Sequence, residues 1–268
     1  MKWSPEADKA VRKAPFFVRK KVSAAVEEYV RKEGRRTVEQ ADVTAAKKQF
    51  LADMSRNIKG YQADTCFGSA GCSRQANPGL DLMWQVREML DKADLLSFLK
   101  ETVTGPLRYH HELRVALADC PNACSRPQIK DFGLIGAVRP GRGQTECSMC
   151  GECYNNCPDR AITLDEHRGG PEIDYGKCLN CGQCLRVCPT GTLIGIDRGF
   201  RVQLGGRLGR HPRLGLEFPG LLKKDQVLTV LRECLDFYKQ NCRQGQRFAR
   251  TIGPDEVKRI AAVINNST

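Results

Sequence analysis

Eight cysteines between Cys147 and Cys188 constrain this chain more than any other feature. They form the pattern Cys-x2-Cys-x2-Cys-x3-Cys-Pro twice, at Cys147, Cys150, Cys153 and Cys157 and again at Cys178, Cys181, Cys184 and Cys188. Cysteines three residues apart on a tight loop can bring their thiolates to one centre, whereas the fourth cysteine lies too far along the chain to join them. The two runs must therefore fold against each other.

This doubled spacing is typical of two 4Fe–4S clusters in which the fourth cysteine of each run ligates the other cluster. We predict one cluster at Cys147, Cys150, Cys153 and Cys188, and a second at Cys157, Cys178, Cys181 and Cys184. Residues 141–195 resemble a bacterial two-cluster ferredoxin. The alternative is a pair of structural zinc sites, because Cys-x2-Cys also occurs in zinc ribbons. Two complete runs with both prolines favour the clusters.

Cysteine usage also indicates the compartment. Of 14 cysteines in 268 residues, 12 have ligand-like spacing once Cys66, Cys72, Cys120 and Cys124 are included. Such spacing predicts metal binding in a reducing compartment rather than disulfides. The first residues carry no apolar signal segment, and no apolar run reaches the roughly 18 residues of a membrane span. We expect a soluble, cytoplasmic protein without membrane contact.

The net charge of +12 fits several kinds of partner. Nucleic acid, an anionic cofactor and an acidic redox protein are all attracted by a basic chain. No basic motif interleaved with aromatic residues is present, so nucleic-acid binding is the least favoured of the three.

Residues 1–58 are predicted to form a basic helical module. Residues 1–60 contain fifteen Lys or Arg and eight Asp or Glu. Apolar residues recur at helical spacing from Phe16 to Val30, and Thr37-x-x-Gln40 predicts a capping box. The segment resembles the small C-terminal domain of the B subunit of light-independent protochlorophyllide reductase, through Trp3, Pro15 to Arg19, Glu27 to Tyr29, Gly34 and Thr37 to Ala45. The resemblance implies contact with a tetrapyrrole or a partner subunit; the alternative is a plain docking module.

A third group of cysteines lies between residues 60 and 139. Cys66-x5-Cys72 is followed by a predicted helix from about Leu80 to Leu99 and a predicted strand, Leu113 to Ala118. Cys120-Pro-Asn-x-Cys124 and Pro-Gln-Ile-x-Asp-x-Gly-Leu-Ile-Gly come next. Together these motifs resemble the 4Fe–4S and sirohaem domain of sulfite and nitrite reductases. The resemblance implies a third cluster at Cys66, Cys72, Cys120 and Cys124, with Cys124 also bridging to a sirohaem iron.

Five arginines and no acidic residue lie between Arg198 and Arg213, in a segment that resembles the same family. Guanidinium groups pair with carboxylates, which sirohaem carries. The predicted cofactor contacts are Arg201, Arg207, Arg210, His211 and Arg213. Candidate substrate ligands are Arg56, Lys59, Arg207 and Arg210. The alternative is a solvated basic hairpin. Cys234 and Cys242 lack ligand spacing and are predicted to be a core residue and a bystander.

These features predict an α+β fold: a helical module at 1–58, a sirohaem-type half-domain at 59–139 plus 196–268, and an inserted ferredoxin at 140–195. The expected function is reduction of sulfite, nitrite or a related small oxyanion. A redox partner protein would supply electrons through the ferredoxin clusters. The alternative is an electron-transfer or tetrapyrrole-binding protein without oxyanion reductase activity.

The resemblance also predicts how the chain assembles. Members of this family clasp the sirohaem between two similar halves, and this sequence contains one. We therefore expect a homodimer or a complex with a related subunit. The alternative is that the helical module covers the open face.

Overall fold

A computed structural model describes residues 1–265 and divides the chain into two compact units. The first contains residues 1–58 and 103–110, and the second contains residues 59–102 and the chain from residue 111 onward. Among the described residues, no helix has both the length and the apolar character that crossing a bilayer requires.

The first unit is built from three helices and a two-stranded parallel ribbon. Its elements are β1 (Lys2–Trp3), α1 (Pro5–Arg12), α2 (Phe16–Lys32), β2 (Thr37–Val38) and α3 (Gln40–Arg56). Strands β1 and β2 pair, and a small core forms around Ala7, Val26, Val30 and Val38. Ser4 begins α1 by accepting a hydrogen bond from the Ala7 N–H at 3.2 Å, as N-cap serines do.

The capping box predicted at Thr37 is wrong. Thr37 belongs to β2, and α3 begins after Glu39. The backbone N–H of Glu39 donates to the Asp42 carboxylate at 2.8 Å, and Arg35 pairs with the same carboxylate. A buried charge needs such partners, so Asp42 fixes where the helix begins.

The second unit contains a five-stranded sheet and a separate hairpin. Its strands are β3 (Tyr61–Thr65), β4 (Leu113–Ala118), β5 (Phe132–Arg142), β6 (Ile162–Asp165), β7 (Gly170–Ile173), β8 (Leu193–Leu204) and β9 (Leu216–Glu217). The sheet order is β3-β4-β5-β8-β9, and β6 pairs with β7. Strands β3, β4 and β5 are parallel, and β8 is antiparallel to its neighbours. The predicted strand from Leu113 to Ala118 is confirmed.

The helices of the second unit are α4 (Leu80–Lys92), α5 (Leu95–Thr102), α6 (Glu152–Asn155), α7 (Gln183–Val187), α8 (Lys224–Asn241), α9 (Phe248–Thr251) and α10 (Pro254–Asn265). The prediction of one helix from Leu80 to Leu99 is wrong, because the chain turns at Asp94, where φ is +43°. The Asp94 carboxylate accepts a hydrogen bond from the Ser97 N–H at 3.3 Å and so caps the second helix.

The core of this unit joins the sheet to its helices. Leu117, Phe132 and Phe200 of the sheet are buried with Leu82 of α4 and Tyr238 of α8. Cys234 and Cys242 belong to the same core, which confirms Cys234 as a core residue. Cys242 is buried as well, and its sulfur lies 3.1 Å from the Thr251 hydroxyl.

Residues 143–192 connect β5 to β8 and contain α6, the β6–β7 hairpin and α7. We call this segment the insert. Its own core is small: its buried members are Cys153, Ile162 and Cys184, which cluster with Leu193 at the start of β8. Long pairing of β5 with β8 brings the two ends of the insert together, because Arg142 lies beside Leu193.

Candidate metal centres

We name the three predicted ligand sets by place. The host set is Cys66, Cys72, Cys120 and Cys124; the early set is Cys147, Cys150, Cys153 and Cys188; the late set is Cys157, Cys178, Cys181 and Cys184. None of these cysteines is in a disulfide.

The host set lies where two parallel strands end. Cys66 follows β3, and Cys120 comes two residues after β4. Because these strands are parallel neighbours, their carboxyl ends meet at one edge of the sheet. The Cys66 sulfur accepts hydrogen bonds from the N–H groups of Gly68 and Asp119, both at 3.3 Å. The strand ends therefore bring Cys66 beside the start of the Cys120 loop.

The Cys120 thiol interacts electrostatically with the other three cysteines of the host set. Burial raises the pKa of the Cys120 thiol, and repulsion from Cys124, Cys66 and Cys72 raises it further. Cys72 and Cys124 are exposed, whereas Cys66 and Cys120 are half-buried. Four thiols from two chain segments are thus within interaction range at one edge of the sheet.

Asp119 and Gln75 hold the loop that carries Cys72. The Asp119 carboxylate is buried and accepts hydrogen bonds from the Gly79 N–H at 3.0 Å and from Gln75 Nε2 at 3.3 Å. Gln75 Nε2 also donates to the Gly68 carbonyl. Burial raises the pKa of Asp119. The sequence analysis missed both residues, and their only signal was proximity to Cys72 and Cys120.

Asn122 contacts the cysteine that was predicted to bridge to a haem. Its Nδ2 donates to the Cys124 sulfur at 3.0 Å. The loop between them turns through the left-handed region at Ala123, where φ is +54°. This turn leaves Cys124 at the surface with an amide donor on its sulfur.

The early set joins the first cysteine run to the last cysteine of the second. Burial raises the pKa of Cys153, the Tyr154 N–H opposes that rise, and Cys147 and Cys188 add repulsion. In Cys188 burial also raises the pKa, but hydrogen bonds led by the Leu193 N–H outweigh it, so the net shift is downward. Cys188 is thus within interaction range of Cys153 in the first run, and the crossed assignment stays a prediction.

The late set joins the second run to Cys157. Burial raises the pKa of Cys184 to about 12, and repulsion from Cys181, Cys178 and Cys157, and from Cys153 of the early set, contributes after it. All four cysteines line one cavity, together with Pro140 of β5. The Cys157 sulfur accepts a hydrogen bond from the Ala161 N–H at 3.3 Å.

These three sets fit iron–sulfur ligation. A thiol must lose its proton to bind iron, and close-packed thiolates repel one another, so bound cations offset both costs. Backbone N–H groups on the sulfurs also stabilise anionic clusters. Within residues 1–265, no group of three or more His, Cys, Asp or Glu side chains is placed to hold a single metal ion. In a four-iron cluster each thiolate binds its own iron atom, so four cysteines need not meet at one ion.

Two arginines of the 205–213 loop donate to backbone carbonyls, and the third is exposed. Arg207 and Arg213 each donate to the Ala249 carbonyl, at 2.9 and 3.0 Å, and Arg213 also donates to the Gly205 carbonyl at 2.8 Å. Arg210 and His211 are exposed between them. The two anchoring guanidinium groups therefore bind the loop to α9, and their predicted cofactor contacts stay predictions.

The other predicted cations are placed as follows. Arg201 pairs with Glu217 at 2.6 Å, Arg56 pairs with Asp53, and Lys59 is exposed just before β3. The last residue of β8, Leu204, lies beside Phe132 at the start of β5. The 205–213 loop thus leaves the sheet at the edge opposite the ends of β3 and β4.

Comparison with known proteins identifies two regions. A family model described as "Nitrite and sulphite reductase 4Fe-4S domain" matches residues 74–264, and one described as "Proto-chlorophyllide reductase 57 kD subunit" matches residues 3–47. The second region is also 47% identical over 51 residues to the B subunit of light-independent protochlorophyllide reductase from Chlorobium phaeobacteroides, covering 19% of this chain and 9% of that protein.

Two sulfite reductases are similar to about half of the chain. Coenzyme F420-dependent sulfite reductase of Methanocaldococcus jannaschii is 31% identical over 138 residues, covering 51% of this chain and 22% of that protein. The C subunit of anaerobic sulfite reductase from Salmonella typhimurium is 31% identical over 148 residues, covering 54% of this chain and 43% of that protein. The chain therefore spans less than half the length of either relative.

The fold is also similar to a solved structure. The crystal structure of dissimilatory sulfite reductase I superposes with a TM-score of 0.53 at 15% identity, covering 84% of this chain and 58% of that one. Because the match to residues 74–264 covers more than two thirds of the 268 residues, the chain belongs to the family of the nitrite and sulphite reductase 4Fe-4S domain.

Proposed function

We propose that this chain is the iron–sulfur and sirohaem half-domain of a reductase acting on sulfite, nitrite or a related small oxyanion. The observation that carries the proposal is the placement of Cys66 and Cys120 at the ends of the neighbouring parallel strands β3 and β4, where the Cys66 sulfur accepts a hydrogen bond from the Asp119 N–H at 3.3 Å. Membership of the family and the similarity to two sulfite reductases support the reaction class.

The residues have distinct roles in this proposal. Cys66, Cys72, Cys120 and Cys124 would hold one 4Fe–4S cluster, and Cys124 would share its sulfur with a sirohaem iron. A sirohaem coupled to a cluster supplies single electrons to a bound substrate. Asn122 orients the Cys124 sulfur through its 3.0 Å hydrogen bond.

Two further 4Fe–4S clusters would be held by the early and late sets. Both sets combine cysteines from the two runs, as a two-cluster ferredoxin requires. A low-potential redox protein is the proposed electron donor. Arg210 and His211 are proposed contacts for anionic groups at the end of the sheet opposite the host set, since Arg207 and Arg213 fix their loop through the Ala249 carbonyl.

Iron and acid-labile sulfide analysis tests the cofactor content. Anaerobically purified protein is expected to contain about twelve irons with matching sulfide, and one more iron when sirohaem is bound. Zinc without sulfide would overturn the proposal.

A second function has one observation in its favour. Arg207 and Arg213 are engaged by backbone carbonyls, so the loop offers fewer guanidinium groups to an anionic macrocycle than the sequence predicts. The alternative is an electron-transfer protein without sirohaem. The reductase is supported by an absorption band at the red end of the visible spectrum together with sulfite- or nitrite-dependent oxidation of a reduced dye. The electron-transfer protein is supported by the broad brown spectrum of the clusters alone.

We also propose that the functional protein is a homodimer or a complex with a related subunit. One relative is named as a subunit, and an open macrocycle face is a poor site for selective chemistry. Light scattering of the full-length holoprotein is expected to give at least twice the chain mass of 29.9 kDa. A strict monomer that retains sirohaem would contradict this.

A further inference from the structure

The late set lies in line with β4. Strand β5 has β4 on one side, ending with Ala118 beside Ile135, and β8 on the other side along its whole length. Three residues beyond Ile135, Val138 forms a parallel bridge with Cys181. Since β8 occupies the other side of Val138, Cys181 lies on the side that β4 has just left.

This register sets a distance. At about 3.3 Å of rise per residue, Cys181 is about 10 Å beyond Ala118 along the strand direction. The chain leaving Ala118 reaches Cys120 after two residues. The N–H of Val138 also donates to the Asn180 carbonyl at 2.8 Å, which fixes the second run at this position on β5.

The early set lies beside the far end of β5. Arg142, four residues beyond Val138, donates to the carbonyls of Arg168 and Gly169 at 2.9 and 3.0 Å. A Cβ placed on Gly170, the next residue of that turn, would be 3.2 Å from the Cβ of Cys147. Cys147 is therefore at the Arg142 level, farther from the host set than Cys181.

One side chain joins the late set's helix to the host loop. Arg186 lies in α7, two residues after Cys184, and donates to the Gln75 carbonyl at 3.2 Å. Gln75 contacts Asp119 at 3.3 Å, and the Asp119 N–H donates to the Cys66 sulfur at the same distance. An unbroken series of contacts thus runs from the insert to the host set.

We propose that the late set is the inner end of the insert, facing the host set, and that the early set is its outer end. Arg186 is the positioning residue that holds the inner end against the loop that contains Gln75. The inference rests on the proposed function and adds a direction to it. A low-potential one-electron donor protein would reduce the protein at the outer end, and each electron would leave toward the host set from the inner end.

Electron paramagnetic resonance of the fully reduced holoprotein tests the order. Cys150→Ala removes one ligand of the early set and Cys181→Ala removes one of the late set. The magnetic interaction between the host-set cluster and its neighbour is expected to persist in Cys150→Ala and to be lost in Cys181→Ala. The opposite pattern, or equal interaction in both variants, would overturn the order.

Arg186→Ala tests the positioning role without altering a ligand. We expect weakening of the same interaction at unchanged iron content. Arg168→Ala is the matched control, because Arg168 is another exposed arginine of the insert and pairs with Glu172 at 3.2 Å. An Arg186→Ala protein with the parent interaction, or an equal loss in Arg168→Ala, refutes the role.

Iron content distinguishes a failure of this inference from a failure of the proposed function on which it rests. About eight irons in place of about twelve, with no cluster at the host set, would overturn both. Full iron content with the interaction assigned to the early set would overturn the order alone and leave the proposed function standing.

Discussion

Asp131 is a buried carboxylate that contacts both the sheet and the C-terminal helices. Its side chain is 1% exposed and pairs with Arg247 at 3.2 Å. It also accepts hydrogen bonds from the N–H groups of Arg114 and Ala249, at 3.0 and 3.2 Å. Because these donors come from β4 and the start of α9, one carboxylate ties the sheet to the C-terminal helices.

Asp131→Asn is expected to lower the free energy of unfolding by about 3 kcal/mol, because it leaves a cation unpaired and sets an amide donor against N–H donors. Urea unfolding of the holoprotein measures this. Asp255→Asn is the control, since the Asp255 side chain is fully exposed and its ion pair with Lys258 is long, at 3.9 Å. A loss in Asp131→Asn no larger than in the control contradicts the prediction.

Asp42 gives the first unit a defined response to acid. The hydrogen bond from Arg35 lowers the pKa of this carboxyl, burial opposes the effect, and the Glu39 N–H lowers it further. A depressed pKa in the folded state contributes stability above the unfolded value of about 3.9. That stability is lost as the pH falls through the folded pKa.

We therefore expect the first unit to weaken below about pH 4, and Asp42→Asn to flatten that pH dependence. The chain has two tryptophans, Trp3 and Trp84. In a Trp84→Phe background, Trp3 fluorescence reports unfolding of the first unit alone. An Asp42→Asn protein with the parent's acid profile would show that another group is responsible.

At the scale of elements, Gly182 controls how α7 meets β5. Its φ is +69°, and a Cβ there would lie 2.4 Å from a methyl carbon of Val138. Gly191 is a matched control, because its φ is +70° and a Cβ would meet nothing within 4 Å. Both alanine variants carry the left-handed backbone cost of about 1 kcal/mol, and only Gly182→Ala adds a clash.

Gly182→Ala is expected to displace the second cysteine run and to lose the late-set cluster, which is about four irons per chain. Gly191→Ala should retain the parent iron content. Adding Val138→Ala to Gly182→Ala restores space and should restore iron. Full iron content in Gly182→Ala alone would contradict the expected displacement.

Sequence patterns predicted the elements well where one local signal decides them. An alternating, partly β-branched run predicted the strand from Leu113 to Ala118, which is confirmed. The turn at Asp94 and the start of α3 after Glu39 were missed. Each depends on a carboxylate that caps a helix over three residues, and apolar periodicity alone does not separate such a cap from the interior of a longer helix.

At the scale of the whole molecule, cysteine spacing predicts two of the ligand sets, because ligand chemistry fixes those intervals, and the family resemblance implies the third; all three sets stay predictions. The roles of the arginines could not be predicted. Both Arg207 and Arg213 donate to the carbonyl of Ala249 in α9, which is 42 and 36 residues away in the sequence. Arg213 also donates to the carbonyl of Gly205, across the turn of the loop. Charge composition predicts that an anion is attracted, but the tertiary fold decides which guanidinium groups remain for it.

Iron removal should divide the second unit into a stable and an unstable part. The insert has three buried core members, two of them cysteines, whereas the core around Leu117 and Phe132 is much larger. A core this small does not hold a domain together without metal or disulfides. Ligation energy is then folding energy for the insert.

Hydrogen exchange before and after anaerobic removal of iron by a chelator measures this difference. Amides of α6, the β6–β7 hairpin and α7 are expected to lose their protection in the apo protein. Amides of β4 and of Phe132 to Ile135 in β5 should keep it, because Leu117 and Leu134 are fully buried there. Reloading with iron and sulfide should restore protection in the insert. Equal protection in the apo and loaded insert would mean that its fold does not depend on the clusters.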